Sequence, residues 1–418
     1  MKPPRGTQDI LPPLSERFTA HESRGAEIFE RAGYGRIVTP MFEETEVFVR
    51  GVGAGTDIVS KEMYTFEDRS GNSLTLRPEG TAPVIRAIIS EKLWNEGVPV
   101  KLWYSAAMFR YDRPQKGRYR QHHQLGIEAV GVDDPAIDAE VIAIGAELLR
   151  KTGVGEVTLL LNSIGHPGCR DEYLPRLKQF LEEHRDSLDA DCHRRMETNP
   201  LRVFDCKNER DQKTLADAPM IEQFLCDECR AHFDAVQSAL KDLGIAFALA
   251  PRLVRGLDYY TRTTFEFQTP LLESQQNTLL GGGRYDGLSE MLGGPSLPGI
   301  GFGSGIERVL LAQELAGAAE PTPRLGAFVV PLGAEERPSA IRLVAAIREA
   351  GVSADMAYAE KGLKAQLRHA DRLGARFGVL IGPAEREAGA CTIRDMTSGE
   401  QRTVPLSEAP AQLAAALR

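Results

Sequence analysis

The feature that most constrains the fold is a series of short β-type segments separated by charged turns. Apolar and β-branched residues concentrate at 73–77, 99–104, 107–111 and 124–130, and a helical pattern follows at 135–151. A doubly wound fold alternates strands and helices strictly, whereas here the strand signals follow one another. The order therefore predicts an α+β fold in which helices flank an antiparallel sheet.

Helical patterns surround this sheet-forming region. Apolar residues at helical spacing predict a helix over 14–31, followed by a strand-like run at 36–40. Residues 166–247 are mainly helical and charged, and strand signals resume after them at 253–257 and 263–268. We therefore interpret the helical block as an insertion between two halves of one sheet domain.

A short proline-rich stretch at 318–324 reads as a linker. An apolar strand pattern begins at residue 325, and the remaining residues alternate strand and helix as a small α/β unit does. A chain of 418 residues is too long for one ordinary core. We therefore expect two domains, 1–324 and 325–418.

Composition argues against several classes of protein. The net charge of −9 disfavours a protein that simply coats nucleic acid, because such proteins are normally basic. No apolar run approaches the ~18 residues that a membrane-spanning helix needs, and the first residues are not typical of a secretory signal. Six cysteines are too few for a disulfide scaffold in a chain of this length, so we expect a reduced, cytoplasmic protein with no membrane partner.

The densest cluster of charge lies at 109–124. Between Arg110 and Arg120 stand five basic residues and one acidic residue, and polar turn residues separate two β-type runs. The pattern predicts a hairpin with a cationic tip. Guanidinium groups match phosphate oxygens in bidentate geometry, so this hairpin suits a polyphosphate or an RNA end. A solvated, charged hairpin explains the pattern equally well.

Glycines mark two further segments, 281–286 and 299–305. Neither has the spacing of a dinucleotide fingerprint or a P-loop, and each taken alone most often marks a tight turn. The second runs into an apolar helix that carries Glu307 and Arg308. The segment 252–262 concentrates tyrosines with arginines and a carboxylate, and it fits either the wall of a polar pocket or a strand with one amphipathic face.

Four cysteines of the helical block raise the question of a structural zinc site. Cys226 and Cys229 have the C-x-x-C spacing of a zinc knuckle, and Cys192 and Cys206 could complete a tetrahedral thiolate site. The upstream pair is widely spaced, so the pattern is irregular and ordinary reduced cysteines are the favoured interpretation. No catalytic metal ligand is predicted.

Taken together, these segments closely resemble the histidyl-tRNA synthetases, a family of class II aminoacyl-tRNA synthetases. The resemblance spans nearly the whole chain. It rests on residues 4–12, 76–81, 109–124, 255–260, 281–286, 299–308 and 361–367. The segment Arg255-Gly-Leu-Asp-Tyr-Tyr260 is specific to the histidine family, whereas motifs 2 and 3 are shared by class II enzymes.

Class II motif 1 resembles the helix and strand ending at Pro40, motif 2 resembles 109–124, and motif 3 resembles 299–310. The resemblance implies a class II catalytic domain followed by a class IIa anticodon-binding domain. It also implies that ATP activates L-histidine to histidyl-adenylate, which is transferred to the 3′ end of the histidine tRNA. A homodimer and Mg²⁺ that bridges the phosphates of a bent ATP are implied as well.

The resemblance gives roles to four arginines. Arg110 and Arg255 would flank the α-phosphate, where charge grows as pyrophosphate leaves, and Arg118 and Arg308 would hold the β- and γ-phosphates. An in-line displacement at phosphorus needs little from a protein beyond positioning and preorganised positive charge.

Two ATP-binding positions depart from the family pattern. Asp112 stands where motif 2 usually has glutamate, so a contact towards the adenosine would be shorter or water-mediated. His122 stands where the family commonly has phenylalanine stacked on adenine. Imidazole can stack but buries less apolar area, so the affinity for ATP is the property that these changes would alter.

The resemblance assigns histidine recognition to a second set of residues. Those around the α-amino group are Glu79, Gly80, Thr81 and Gln124. Those at the imidazole nitrogens are Glu128 and Tyr260, with Tyr259 nearby. One ring nitrogen can donate and the other accept, so paired polar groups discriminate by up to ~10⁴-fold against side chains that leave them buried and unpaired.

Two relatives of the synthetases are alternatives. The regulatory subunit of ATP phosphoribosyltransferase senses histidine, but it typically lacks the 255–260 segment and the C-terminal unit, both of which are present here. A pseudo-enzyme that reports uncharged tRNA would not need two cations at the α-phosphate.

The C-terminal unit contains a candidate RNA-binding helix near 361–373. Its predicted buried stripe consists of Leu363, Leu367 and Ala370. Its predicted outer face carries Lys364, Arg368 and Arg372. That basic face either contacts RNA or is simply solvated.

Overall fold

The computed structural model describes residues 1–53, 56–206, 208–273, 276–318, 325–358 and 362–417. The chain divides into two compact units, Met1–Ala319 and Glu320–Arg418. Residues 319–324 of the predicted linker, and Lys361 at the start of a predicted helix, lie outside the described residues. None of the helices in the described ranges combines the length and the apolar character that a membrane span requires.

The first unit contains both strands and helices throughout its length. Its strands are β1 (Gly35–Arg36), β2 (Phe42–Glu44), β3 (Tyr64–Glu67), β4 (Ser73–Leu76), β5 (Val100–Phe109), β6 (Gln121–Val130), β7 (Thr158–Ser163), β8 (Ala248–Leu249), β9 (Thr261–Gln268), β10 (Thr278–Arg284) and β11 (Gly299–Gly305). Its α-helices are α1 (Leu14–Arg31), α2 (Thr45–Phe48), α3 (Thr81–Glu91), α4 (Pro135–Thr152), α5 (Pro167–Glu183), α6 (Ala190–Thr198), α7 (Glu209–Thr214), α8 (Asp227–Asp242), α9 (Leu288–Met291) and α10 (Ile306–Leu315).

Eight of the strands described in this unit form one sheet, in the order β1-β5-β6-β11-β10-β9-β7-β8. The pairs from β5 to β7 are antiparallel, and the two edge pairs, β1 with β5 and β7 with β8, are parallel. A smaller antiparallel sheet contains β2, β4 and β3. The predicted α+β fold with an antiparallel sheet is confirmed.

The hairpin predicted around 109–124 consists of β5 and β6, which pair in one continuous antiparallel register. The sequence predicts two strands at 99–104 and 107–111, whereas the structure has the single strand β5. Ser105 and Ala106 have weak β-propensity, but both pair with β6. Cross-strand pairing therefore overrides the local preference, as is common in sheets.

One face of the main sheet carries a large apolar cluster. On β6, Leu125, Ile127 and Ala129 are buried in a cluster that also contains residues of α1, α4 and α10. Each fully buried aliphatic side chain contributes about 1.5–3 kcal/mol. Because strand side chains alternate between faces, Gln124 and Glu128 lie on the opposite face of the sheet.

Two predicted helices are confirmed. The helix over 14–31 is α1, and the helix over 135–151 is α4. The Asp134 side chain caps α4 by accepting a hydrogen bond from the backbone N–H of Ala136 at 2.8 Å. Gly153 ends the helix with a φ of 75°.

Two features of the first unit differ from the sequence predictions. Residues 253–257 are irregular and not a strand, because Asn162 Nδ2 donates to the Leu253 carbonyl at 2.9 Å and the Asp258 N–H donates to the Val52 carbonyl at 3.1 Å. Loops and side chains thus satisfy the backbone in place of a sheet ladder. Helix α3 was not predicted, although its sequence is amphipathic, with Val84, Ile85 and Ile88 buried and Ser90 and Glu91 exposed.

The helical block lies between two neighbouring strands of the main sheet. Helices α5, α6, α7 and α8 follow β7 and precede β8, and β7 pairs with β8. The chain therefore leaves and re-enters the sheet at the same edge.

The second unit is a small α/β fold. Its strands are β12 (Leu325–Pro331), β13 (Ala354–Met356), β14 (Ala375–Ile381), β15 (Ala390–Asp395) and β16 (Gln401–Pro405). Its helices are α11 (Arg337–Glu349), α12 (Leu363–Arg372), α13 (Pro383–Glu387) and α14 (Ala409–Ala416). The described strands lie in the order β13-β12-β14-β15-β16, and the first three are parallel.

Helix α12 differs from its predicted burial at one position. Leu363 is exposed, whereas Gln366 is buried together with the predicted Ala370, and its Nε2 donates to the Pro331 carbonyl at 3.0 Å. The basic residues Lys364, Arg368 and Arg372 are exposed as predicted.

Candidate active site

Four arginines line one cavity of about 270 Å³ on the first unit. Arg110 and Arg118 come from the loop between β5 and β6, Arg255 comes from the irregular segment before β9, and Arg308 comes from α10. Three carboxylates, Asp112, Glu266 and Glu307, lie on the same walls. The cavity is therefore strongly polar, and positive groups from distant parts of the chain meet in it.

The two glycine segments form the floor of this site. They are the adjacent strands β10 and β11, where Gly281 pairs with Gly303 and Gly283 pairs with Gly301. A Cβ atom at Gly281 would lie 2.5 Å from Nη1 of Arg255. A Cβ atom at Gly283 would lie 2.9 Å from Cδ1 of Tyr260. The glycines therefore leave the space that these side chains occupy. Both segments are paired strands here, and not the tight turns that such glycines most often mark.

Arg255 lies over this floor and is held by Glu266 on β9. Burial alone would lower the pKa of the Arg255 guanidinium, but the Glu266 carboxylate opposes this and the pKa stays above its usual value. The Nε atom of Arg255 is buried and has no hydrogen-bond partner among the described residues. A buried donor without a partner carries a cost that an anionic ligand would remove.

The other arginines are positioned mainly by backbone carbonyls. Arg110 Nε donates to the Pro78 carbonyl at 2.8 Å, and Arg308 Nε donates to the Gly117 carbonyl at 3.1 Å. Arg118 forms an ion pair with Asp112. Burial lowers the pKa of Arg308, and the positive charges of Arg118 and Arg110 lower it further. These cations repel one another, so the cavity favours a polyanion.

Two adjacent histidines of β6 lie in different surroundings, because neighbouring strand residues face opposite sides of the sheet. His122 lines the cavity, where burial and the charges of Arg110 and Arg308 hold its pKa well below its usual range. Its ring is therefore neutral. The backbone N–H and the Nδ1 of His123 bind the Glu307 carboxylate at 3.0 and 2.8 Å. This contact ties the hairpin to α10.

A second group of polar side chains is buried beside the cavity. Glu128 is fully buried; Thr81 Oγ1 donates to its Oε1 at 2.7 Å, and the Tyr285 hydroxyl donates to its Oε2 at 2.5 Å. Burial raises the pKa of Glu128 to about 8, although these two hydrogen bonds lower it in part. A carboxyl group kept largely protonated at neutral pH can be ionised by a ligand that brings donors.

Glu79 closes the other side of this group. Its carboxylate accepts hydrogen bonds from the backbone N–H of Thr81 at 2.7 Å and of Ala82 at 2.9 Å, at the start of α3. The Tyr259 hydroxyl donates to the same carboxylate at 3.3 Å. Burial raises the pKa of Glu79. Tyr259 and Tyr260 are themselves buried, with ring centroids 4.7 Å apart.

The structure places every residue that the sequence analysis singled out for catalysis or substrate binding in or beside these two adjoining groups. Those in the cavity are Arg110, Asp112, Arg118, His122, Gln124, Arg255 and Arg308. Those in the buried group are Glu79, Thr81, Glu128, Tyr259 and Tyr260. Gly80 leaves room for Tyr104, because a Cβ atom there would lie 2.5 Å from the Tyr104 hydroxyl oxygen. Arg255 connects the two groups, with its Cζ 5.7 Å from the Tyr260 ring centroid.

Sequence reasoning missed several contributors, among them Glu266, Tyr104 and Tyr285. Glu266 stands between Phe265 and Phe267, which are both buried in the core. A charged residue between two apolar residues of a strand faces the opposite side of the sheet, so the sequence could have indicated a polar site there. The two tyrosines gave no comparable signal, because aromatic residues in strands are usually part of the core.

The four cysteines considered as one zinc site do not come together. Cys192 and Cys206 lie with Asp189 and Asp211, whereas Cys226 and Cys229 lie with His166 and Cys169. The four-cysteine ligand set, considered as the less favoured alternative, is therefore excluded, because the two pairs lie in different parts of the insertion.

Comparisons with known proteins decide the family. A family model described as histidyl-tRNA synthetase matches residues 6–309, and a model described as an anticodon binding domain matches residues 327–416. The chain belongs to the histidyl-tRNA synthetase family. Its curated relatives include the histidine–tRNA ligase of Halothermothrix orenii, 47% identical over 97% of both chains, and that of Saccharopolyspora erythraea, 49% identical over 99% of this chain and 98% of the relative.

Solved structures agree with this membership of the histidyl-tRNA synthetase family. The apo histidyl-tRNA synthetase of S. aureus is 39% identical, covers 99% of this chain and 100% of its own, and superposes with a TM-score of 0.82. The histidyl-tRNA synthetase of Nostoc sp., 22% identical over 100% of both chains, superposes with a TM-score of 0.74 and shows the shared fold. The family resemblance drawn from the motifs is confirmed.

Proposed function

We propose that the chain is a histidine–tRNA ligase, which activates histidine with ATP and transfers it to the 3′ end of the histidine tRNA. The observation that carries this proposal is the meeting of Arg110 and Arg255, from distant parts of the chain, in one cavity beside the buried group around Glu128 and Tyr260. Family membership and the names of the relatives support it.

The cavity suits the first half-reaction. A carboxylate oxygen of histidine would attack the α-phosphorus of ATP, and the bond from that phosphorus to pyrophosphate would break. Arg110 and Arg255 would flank the α-phosphate and stabilise the charge that grows there, while Arg118 and Arg308 would hold the β- and γ-phosphates. The buried Arg255 Nε supplies a donor that such a ligand can satisfy.

The cavity also fits Mg²⁺, a cation that prefers carboxylate and phosphate oxygens. Glu266, whose carboxylate also holds Arg255, would hold the ion together with phosphate oxygens, while Asp112 would face the adenosine. When bound, Mg²⁺ would neutralise charge on the departing pyrophosphate. His122, kept neutral by its surroundings, would stack on the adenine.

The buried group suits histidine. Glu79, Thr81 and Gln124 would bind the α-amino group, and Glu128 and Tyr260 would bracket the two imidazole nitrogens. Glu128 and Tyr260 are both buried, so this pair of polar groups would favour a ring that both donates and accepts hydrogen bonds. An amino acid without those groups would leave them unpaired, which is the basis of strong discrimination.

Transfer RNA would engage both units. We assign catalysis to 1–324, including the helical insertion at about 166–247, and anticodon binding to 325–418. The exposed Lys364, Arg368 and Arg372 on α12 support this, since basic side chains neutralise phosphates. The homodimer and the cytoplasmic compartment stay predictions.

Histidine-dependent exchange of pyrophosphate into ATP tests the proposal. We expect exchange with histidine alone among the amino acids, and Arg255→Ala should abolish it while sparing most tRNA binding, because the residue lies at the phosphates and not at the anticodon. Exchange supported by a different amino acid would overturn the substrate. Equal loss of exchange and tRNA binding in Arg255→Ala would mean that this arginine has a structural role.

A further inference from the structure

The helical insertion contains a compact cluster of three cysteines and one histidine. The Nδ1 of His166 and the Sγ atoms of Cys169, Cys226 and Cys229 all lie within 4.8 Å of one another. The two cysteines at 169 and 229 are buried, and the other two members are half-buried. We propose that these four side chains bind a structural zinc ion.

The distances within the cluster match a tetrahedral site. Zn–S bonds of about 2.3 Å and Zn–N bonds of about 2.0 Å place neighbouring ligand atoms ~3.5–3.8 Å apart. The Nδ1 of His166 lies 3.0 Å from Cys169 Sγ, 3.4 Å from Cys229 Sγ and 3.9 Å from Cys226 Sγ. Shifts of less than 1 Å would complete the coordination.

The local backbone also has the features of a zinc knuckle. His166 and Cys169 stand at the start of α5, and Cys226 and Cys229 stand at the start of α8, with two residues between the members of each pair. The Cys229 N–H points to Cys226 Sγ at 3.5 Å, and the Cys226 N–H points to Cys169 Sγ at 3.3 Å. Backbone N–H groups and two helix N-termini stabilise the negative charge of thiolates.

Two other interpretations of the cluster are less complete. A disulfide would use two of the three sulfur atoms and leave a thiol and an imidazole beside it. A reactive thiol would need one cysteine, not three around a histidine. Zinc uses all four groups, and three thiolates with one imidazole is a common structural ligand set.

The second cluster, around Cys192 and Cys206, is built differently. Cys206 Sγ donates to the Asp211 carboxylate at 3.1 Å, and the Asp189 carboxylate caps α6 by accepting from the Cys192 N–H at 2.8 Å. Its sulfur and carboxylate groups already satisfy one another in part, so it serves as the matched control for the proposed site.

The proposed site lies next to the segment that carries Tyr260. Gly165, beside His166, accepts a hydrogen bond from the Arg262 N–H at 2.9 Å, and Arg170 Nη1 donates to the Tyr260 carbonyl at 3.2 Å. A metal that fixes the start of α5 would therefore hold the backbone of the proposed histidine pocket. Zinc would act as a positioning element and not in the chemical step.

Metal analysis of the full-length chain tests the site. Protein purified without chelator, under reducing conditions and with zinc in the growth medium, should contain about one zinc per chain. Cys226→Ser and Cys229→Ser should lose it, whereas Cys192→Ser and Cys391→Ser should keep it. Should the serine variants fail to fold, the unaltered protein can be titrated with a mercurial reagent. The amount of zinc released should then rise in proportion to the reaction of three thiols per chain, those of Cys169, Cys226 and Cys229.

Two outcomes would overturn the site. One is less than a tenth of a zinc per chain after incubation with zinc and gel filtration, with six thiols that all react freely. The other is loss of zinc from Cys192→Ser with retention in Cys226→Ser. The positioning role of zinc is tested separately. Removal of zinc should raise the KM for histidine several-fold in pyrophosphate exchange, with a smaller change in kcat. An unchanged KM for histidine would refute the positioning role. Because zinc content is measured without turnover, failure of this inference is distinguishable from failure of the proposed activity.

Discussion

Replacing Gly281 by alanine tests whether the glycine floor positions Arg255. A Cβ atom at this position would lie 2.5, 2.6 and 2.8 Å from Nη1, Nη2 and Cζ of the Arg255 guanidinium, whereas ordinary contacts begin at 3.4 Å. The guanidinium must therefore retreat by about 0.9 Å or swing away. A misplacement of about 1 Å at a catalytic group can cost about 10²-fold in rate, or about 2.7 kcal/mol of transition-state stabilisation.

The same substitution should have little effect on folding. The clashing atoms are the far end of a flexible side chain, so the strand β10 can keep its pairing with β9 and β11. Alanine in a strand also costs less backbone entropy than glycine. We therefore expect the free energy of unfolding to change by less than about 1 kcal/mol while kcat/KM falls about 100-fold.

Pyrophosphate exchange and chemical denaturation measure the two quantities, and Gly35→Ala on β1, outside the cavity, is the matched control. A Cβ atom at Gly35 would have its nearest neighbours, Cδ2 of Leu102 and the Lys101 carbonyl oxygen, at 3.9 Å, which are ordinary contacts. That variant should keep nearly full activity. Equal activity of the two alanine variants would refute the reasoning, because it would show that Arg255 works without the position it has in the structure.

Three further predictions concern other parts of the site. The affinity for histidine should rise between about pH 7 and pH 8.5, because burial raises the pKa of Glu128 to about 8 and a ligand that donates to its carboxylate favours the ionised form. Calorimetric Kd values should show this pH dependence in the unaltered protein and lose it in Glu128→Gln. Identical pH profiles for the two proteins would contradict the prediction. His122→Phe should lower the KM for ATP by up to about tenfold, since a phenyl ring buries more apolar area against adenine than an imidazole ring does. The KM for histidine is the control and should not change. An unchanged KM for ATP would show that the ring at this position does not stack on adenine. Lys364→Glu combined with Arg368→Glu should raise the KM for tRNA in aminoacylation and leave pyrophosphate exchange intact, and an unaffected KM for tRNA would show that the basic face of α12 is only solvated.

Local patterns predicted the elements whose residues carry their own signals. Helix α1 has a one-sided apolar period, and α4 has a capping aspartate and a terminal glycine. The hairpin of β5 and β6 was visible from two β-type runs around polar turn residues. The motifs at 109–124 and 255–260 identified the family because they carry several specific residues at fixed spacing.

Local patterns failed where burial or tertiary pairing decides the structure. Residues 253–257 have the composition of a strand, yet Asn162 and other groups satisfy their backbone, and they form a loop. Nothing in the sequence indicates that His166 and Cys169 lie beside Cys226 and Cys229, because the two pairs are about sixty residues apart in the chain.

The amino-acid sequence alone predicted helices α1 and α4, the hairpin of β5 and β6, and the residues proposed to bind phosphate and imidazole, because these depend on side-chain chemistry and short-range periodicity. The tertiary structure decided which of those residues meet. Arg110 and Arg255 are far apart in the chain, and they line one cavity because β6, β11, β10 and β9 lie side by side and the glycines of the two central strands leave space above the sheet. Long-range strand pairing is a property of the whole core, and no local segment encodes it.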